Sequence, residues 1–182
     1  MRNVPAPVSG YSLAELLVVV ALLGLIAAVA VPSSGNREAE LLDAAARQFA
    51  DAIRFARGES MRGGANYGFR HQSGQERIRV FRFDWNTVPP TMVHDVYHPV
   101  TKSIYDIQVD QQDFAEVEEI TRSSTFDGNC NRPGRIWFDR YGIARCGDPA
   151  DVLLESYTIN FWGDSELVKV RLDGRTGRMW IE

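Results

Sequence analysis

Few side chains in this sequence have the type and spacing that chemistry needs. His71, His94 and His98 are the only histidines. His94 and His98 have the spacing of two metal ligands on one helix face. Pro99 and the Pro89-Pro90 pair argue against a helix there, so the default is a set of surface-loop histidines. Asp127-Gly128-Asn129-Cys130-Asn131 begins like a calcium loop. The position that needs glycine is Arg132 and the closing ligand position is Phe138, which rejects an EF-hand. Cys130 and Cys146 are too few for a disulfide scaffold and the wrong number for a four-ligand zinc site. Arg171, Arg175 and Arg178 cluster near Trp180, and a basic turn with an aromatic suits a phosphate-tracking surface. Glu166, Asp173 and Glu182 dilute that charge. Solvated arginines that discourage edge pairing are the favoured reading. No catalytic constellation emerges, no metal or cofactor is expected, and the chain reads as a non-enzyme.

One acidic residue is harder to dismiss. Glu15 sits at the start of the run Leu16–Val31, which has no charged or polar side chain. Extended back to Tyr11, this run is about as long as a hydrocarbon core is thick. A carboxylate at membrane depth costs a few kcal/mol on insertion scales. A simple membrane anchor does not need it. A secretory signal peptide would place its cleavage site after the run, and Ala28–Ser33 could be forced to fit, but such a core normally carries no acid. Gly24 would let helices approach closely, or is a neutral small residue; the sequence leaves both open.

The elements that must position these residues follow from the rest of the chain. Its 182 residues suffice for one domain with a real core. Apolar residues make up 45% and charged residues 24%, which rules against wholesale disorder. The net charge of −4 gives no global reason to expect a nucleic-acid partner. After Pro32-Ser33-Ser34-Gly35 the apolar pattern resumes at helical spacing through Leu41, Ala45, Phe49, Ile53 and Ala56, with Leu42 and Ala52 alongside. That predicts an amphipathic helix over 33–64, ending at Gly63-Gly64. The simplest arrangement is one long helix kinked near Pro32, its second half packed on a sheet.

From Ala65 the period changes. Arg77–Phe83, Ile104–Val109, Val117–Ile120, Arg135–Phe138, Leu153–Phe161, Leu167–Leu172 and Met179–Ile181 read as strands. Trp85–Lys102, rich in Pro and His, reads as a loop. The fold class is α+β: a long N-terminal helix, membrane half plus amphipathic half, on a mostly antiparallel sheet spanning 65–182.

Gly10-Tyr11-Ser12-Leu13-Ala14-Glu15, the apolar run and Pro32 together resemble the type IV prepilin signature. The resemblance implies a leader, 1–10, cut after Gly10 by a prepilin peptidase at the cytoplasmic face. It implies methylation of the new N-terminus on Tyr11 and an assembly role for Glu15. It also implies a transmembrane and assembly helix over 11–32, with Pro32 at its end. Tyr11 departs mildly from the family's usual phenylalanine. Cleavage would create an ammonium four residues before Glu15. In a filament, Glu15 of one subunit can pair with the Tyr11 ammonium of a neighbour, setting register more than adding stability. The competing reading is that Glu15 reaches to the headgroups.

The far end adds to this. Arg135–Gly142 is similar to the F-x-x-x-G strand-turn of the H-type minor pseudopilins of type II secretion and their minor-pilin relatives. Asp173–Met179 resembles their final hairpin. The resemblance implies a structural subunit of a periplasmic pseudopilus that supports protein export across the outer membrane. Its partners would be other pseudopilins, the prepilin peptidase and the inner membrane, crossed once with the N-terminus cytoplasmic. The alternative is a minor pilin of a type IV pilus, in adhesion, motility or DNA uptake. Irregular calcium sites occur in some pseudopilins, which leaves a weak one open near Asp127. A periplasmic domain would also favour a Cys130–Cys146 bridge, of roughly 3 kcal/mol, over a reactive free pair.

Overall fold

A computed structural model describes residues 12–30, 34–72, 77–108, 119–131, 134–147 and 152–182. Gly10, Tyr11 and Pro32, on which cleavage, methylation and the kink were placed, lie outside the described residues. The chain divides into two compact units, Met1–Gly35 and Asn36–Glu182.

The first unit holds α1, Leu13–Ala30. Ser12 caps it: its hydroxyl and carbonyl oxygens both accept the Glu15 N–H, at 3.2 and 3.0 Å. This is the side-chain substitute that a free first turn requires. Among the described residues no helix is long and apolar enough to cross a membrane. The spanning reading therefore rests on the sequence run alone.

The second unit is built on α2, Ser34–Gly63, from Asn36 onward. Gly64 follows at φ +70°, the left-handed position that ends helices. Leu42, Ala45, Phe49, Ala52, Ile53 and Ala56 are fully buried, and so are Ala46 and Ala50. Leu41 is only half-buried. The buried face is thus broader than a single stripe. Its alanines let the helix backbone lie close to the sheet, while Phe49 reaches between strands to meet Phe69 at 5.4 Å and Phe161 at 6.0 Å.

Among the described residues the strands are β1 Tyr67–Gln72, β2 Arg77–Asp84, β3 Thr91–Val93, β4 Asp106–Gln108, β5 Glu119–Phe126, β6 Arg135–Phe138, β7 Ala144–Cys146, β8 Val152–Trp162, β9 Leu167–Asp173 and β10 Met179–Ile181. They form one sheet in the order β10-β9-β8-β7-β6-β1-β2-β3, with β4 also on β2 and β5 also on β8. Every described pairing is antiparallel. The long β8 joins the two halves: its first residues pair with β7, its remainder with β5 and β9.

Several sequence expectations need correction. The stretch 85–102 is not all loop, because Thr91–Val93 pairs with the end of β2. Three residues beside two prolines carry too little pattern to show this. The strand expected at 104–109 is shorter, and Ile104 instead bridges Tyr97. β5 runs on through Thr121–Phe126, whose polar residues mark an edge strand held by β8 rather than by its own apolarity. β1 and β7 were not foreseen. β1 contains Gly68, yet it is paired on both sides by β2 and β6. A Cβ on Gly68 would lie 2.7 Å from both the Phe81 ring and the Trp137 Cα, so tertiary packing requires the glycine.

Candidate assembly and recognition surfaces

α1 is the first candidate surface. Leu13, Leu16, Leu17, Val18, Val20, Leu22, Leu23 and Ile26 are all more than half exposed. Those side chains face every direction round the helix. A helix apolar all round must be covered by lipid or by other helices. Glu15 is exposed on its first turn, with its backbone N–H tied to Ser12. Nothing lies within 4 Å of where a Cβ on Gly24 would sit.

The second candidate is the C-terminal hairpin. Arg171 lies on β9 opposite Trp180, 3.4 Å from the Glu182 carboxylate. Arg175 is 3.6 Å from Glu155. Arg178 lines a shallow hollow with Asp173, Thr176, Met179 and Trp180. Carboxylates thus stand beside two of the three arginines. Asp173 is engaged in shaping the turn: it accepts from the Thr176 N–H at 2.7 Å and from its hydroxyl at 2.8 Å. Those bonds, the Thr176 N–H first, hold its carboxyl below the usual range.

Two turns share one cation that the sequence reading missed. Arg57 of α2 donates from Nε to the Gly142 carbonyl and from Nη2 to the Thr176 carbonyl, at 3.0 and 2.9 Å. Both carbonyls belong to the two segments singled out by resemblance. The available signal was an arginine near the end of an amphipathic helix, which alone specifies no partner. Glu38 does similar work at the other end of α2. It accepts from the Ser165 N–H and hydroxyl, each at 2.9 Å, and ties the β8–β9 turn. The Ser165 N–H is the main cause of its lowered pKa.

Cys130 and Cys146 form a disulfide, with Cα atoms 5.9 Å apart. Cys146 is fully buried on β7, so the bridge ties the segment after β5 into the core. Asp127 closes the same region by accepting the Leu153 N–H at 3.0 Å. Among the described residues no group of His, Cys, Asp and Glu could hold a metal ion. His98 caps a turn, accepting from Val100 and Thr101, each at 3.2 Å. His94 packs on Phe81. His71 is buried under Arg122, which donates to its carbonyl at 2.9 Å. Burial first, then the Arg122 charge, pushes its pKa down to about 4.

The outer sheet face carries a second cluster, Phe81, Phe83 and Trp137, with Met92 against it. Alternation in Arg77–Phe83 puts Ile78 and Val80 inward and Phe81 and Phe83 outward. That alternation reads as a half-buried strand; burial on both faces corrects this, and apolar residues at both parities were the sign that could have shown it.

No protein-family model matches this chain, and no curated protein does. The solved structures similar in fold include two of one kind. One is a structure of the minor pseudopilin EpsH from the Type 2 Secretion System of Vibrio cholerae, at TM-score 0.51 and 10% identity, covering 78% of this chain and 95% of that one. The other is a crystal structure of the same kind of protein from that system, at TM-score 0.51 and 9% identity, covering 78% and 93%. The likeness is one of fold alone: an α+β architecture with a mostly antiparallel sheet.

Proposed function

We propose that this chain is a minor pseudopilin, a structural subunit of a type II secretion pseudopilus, with no turnover of its own. The observation that carries the reading is the pairing of two features. One is the α1 helix, apolar all round, with Glu15 on its first turn. The other is a separate folded unit shaped like EpsH. The helix is apolar all round and the folded unit has its own core, so the division of labour is assembly by one and display by the other.

In this reading the chain is cut after Gly10 by a prepilin peptidase, methylated on Tyr11, and held in the inner membrane by 11–32 with its folded domain periplasmic. Other pseudopilins cover α1 in the filament. Glu15 pairs there with the N-terminal ammonium of a neighbour, because both charges would otherwise be stranded in an apolar bundle.

Deletion of the chain tests the secretory role. Proteins bound for the exterior should then accumulate in the periplasm, and the full chain supplied in trans should restore export. Unimpaired export together with loss of surface pili or of DNA uptake would reject this role in favour of a minor pilin of a type IV pilus.

A further inference from the structure

Between β3 and β4 the chain runs out and back as a hairpin. Tyr97 bridges Ile104, the Tyr105 N–H donates to the Val96 carbonyl at 2.8 Å, and the His98 N–H donates to the Ser103 carbonyl at 2.8 Å. One face of this hairpin is seated in the core. Val96 and Tyr105 are buried, the Tyr105 ring lies 5.2 Å from that of Phe55 on α2, and the His98 ring lies 4.6 Å from that of Tyr105. Side chains alternate along paired strands, so Tyr97 and Ile104 are held on the other face, 57% and 51% exposed. Val100, at the tip, is 79% exposed, and Pro99 beside it is exposed too. Apolar residues exposed singly are ordinary, but a group of them held outward on one hairpin marks a contact surface.

The backbone of the tip is already satisfied from within. His98 Nδ1 accepts the Val100 and Thr101 N–H groups, each at 3.2 Å, and the His98 carbonyl accepts the Lys102 N–H at 3.0 Å. Pro99 has no N–H. With the His98 N–H on Ser103, every N–H from 98 to 102 is therefore bonded inside the tip. The Thr101 and Ser103 hydroxyls bond each other at 2.7 Å. A segment with no free backbone donor can leave water at little cost, which is what hydrocarbon demands of a chain that enters it. Charge points the same way. Residues 96–105 contain no Asp or Glu, and exposed Lys102 is their only Lys or Arg. The flanking acids Asp95 and Asp106 pair with Arg82 and Arg77, and Asp51 of α2, near Tyr105, pairs with Arg54. Apolar side chains, a tyrosine and one ammonium without a carboxylate make up a segment suited to the lipid–water interface. A protein partner would instead read directional groups, and a stable interface takes roughly 20–30 residues from each side. This tip offers far fewer, with its donors spent.

We propose that the 97–104 hairpin inserts shallowly into the surface of a phospholipid bilayer. Val100 and Pro99 enter the acyl boundary, Tyr97 and Ile104 lie at headgroup level, and Lys102 meets lipid phosphate. The proposal goes beyond the filament role but rests on the reading that α1 holds the chain at a membrane, and the experiment reports the two separately.

The full chain carrying Val100→Cys is labelled with a nitroxide and mixed with vesicles of phosphatidylethanolamine and phosphatidylglycerol. The two native cysteines are joined in the disulfide, so the introduced thiol is the only one to react. Flotation with the vesicles reports on α1. Collisions of the nitroxide with dissolved oxygen and with a water-soluble nickel chelate report on the tip. Arg178→Cys, labelled in the same way on the exposed C-terminal hairpin, is the reference. In floated protein the ratio of oxygen to nickel access at the Val100 label should exceed that of the reference severalfold. Tyr97→Ser with Ile104→Ser should return the Val100 label to water while the chain still floats. An unchanged spectrum of the Arg178 label in that double variant shows that the fold is intact. Three results in floated protein would each overturn the proposal: a Val100 label as open to nickel as the reference, a label shielded from both reagents, or lipid contact that survives the double serine variant. The second would assign the tip to a protein contact. A chain that does not float at all would reject the membrane reading of α1, and the tip proposal with it.

Discussion

Arg57 Nε donates to the Gly142 carbonyl at 3.0 Å, joining residues 85 apart in the chain. The same guanidinium reaches the Thr176 carbonyl. One helical side chain therefore fixes the turn after β6 and the turn before β10. Gly142 and Gly177 sit against it at φ +75° and +65°. A Cβ on Gly142 would lie 2.9 Å from Arg57 Nε, and one on Gly177 would lie 2.5 Å from Arg57 Cζ.

Gly177→Ala should therefore destabilise the folded unit twice over, by backbone strain of about 1–2 kcal/mol and by displacing Arg57. Arg57→Met keeps the apolar stem of the side chain and removes both hydrogen bonds. It should cost about 1–3 kcal/mol, by leaving two carbonyls without their donor. Urea unfolding of the full chain in micelles measures both. Wild-type midpoints for both variants would show that the clamp is ornamental.

The disulfide should be present in protein taken from an oxidising compartment, with no thiol alkylated after unfolding without reductant. Replacing Cys130 and Cys146 together by serine should lower stability by about 3 kcal/mol, the loop-closure value for a bridge of this span. The fold should survive, because α2 and the sheet retain their core. Two alkylatable thiols would refute the bridge.

Stability should fall on acidification, through His71. Its folded pKa is pushed down to about 4 from an ordinary 6.5. Protons therefore bind the unfolded chain more readily. The stabilising contribution is complete above about pH 6.5 and is lost as pH falls toward 4. His94, also depressed, mainly by burial, adds in the same direction. His71→Phe should flatten the profile between pH 7 and 4.5. An equally steep profile in that variant would assign the acid sensitivity elsewhere.

These outcomes show where the sequence was legible. The amphipathic helix was readable because its apolar spacing and the Gly63-Gly64 stop are local signals. Strands β2, β6, β8, β9 and β10 were readable from alternation and turn residues. β1 and β7 were not, because Gly68 and the short Ala144–Cys146 owe their conformation to the strands on either side. Of the candidate surface residues, the Arg171, Arg175 and Arg178 cluster was visible, but not that Glu182 and Glu155 stand beside two of its members. Arg57 and Trp137 gave no warning, since their partners lie far along the chain. Glu15 stood out because an acid in an apolar run conflicts with its surroundings.

Glu15→Ala should leave membrane insertion intact, or improve it, yet keep the protein out of filaments. The variant lacks the carboxylate proposed to meet a neighbour's ammonium. Fractionation of sheared filaments against membranes measures this. Filament incorporation at wild-type level would remove Glu15 from assembly.

Mass spectrometry of the mature N-terminus is the most direct test of the account. A first residue of N-methylated Tyr11, following a cut behind Gly10, is the predicted result. A mature chain that begins after Ala30, or one that keeps Met1–Gly10, would contradict the pseudopilin reading.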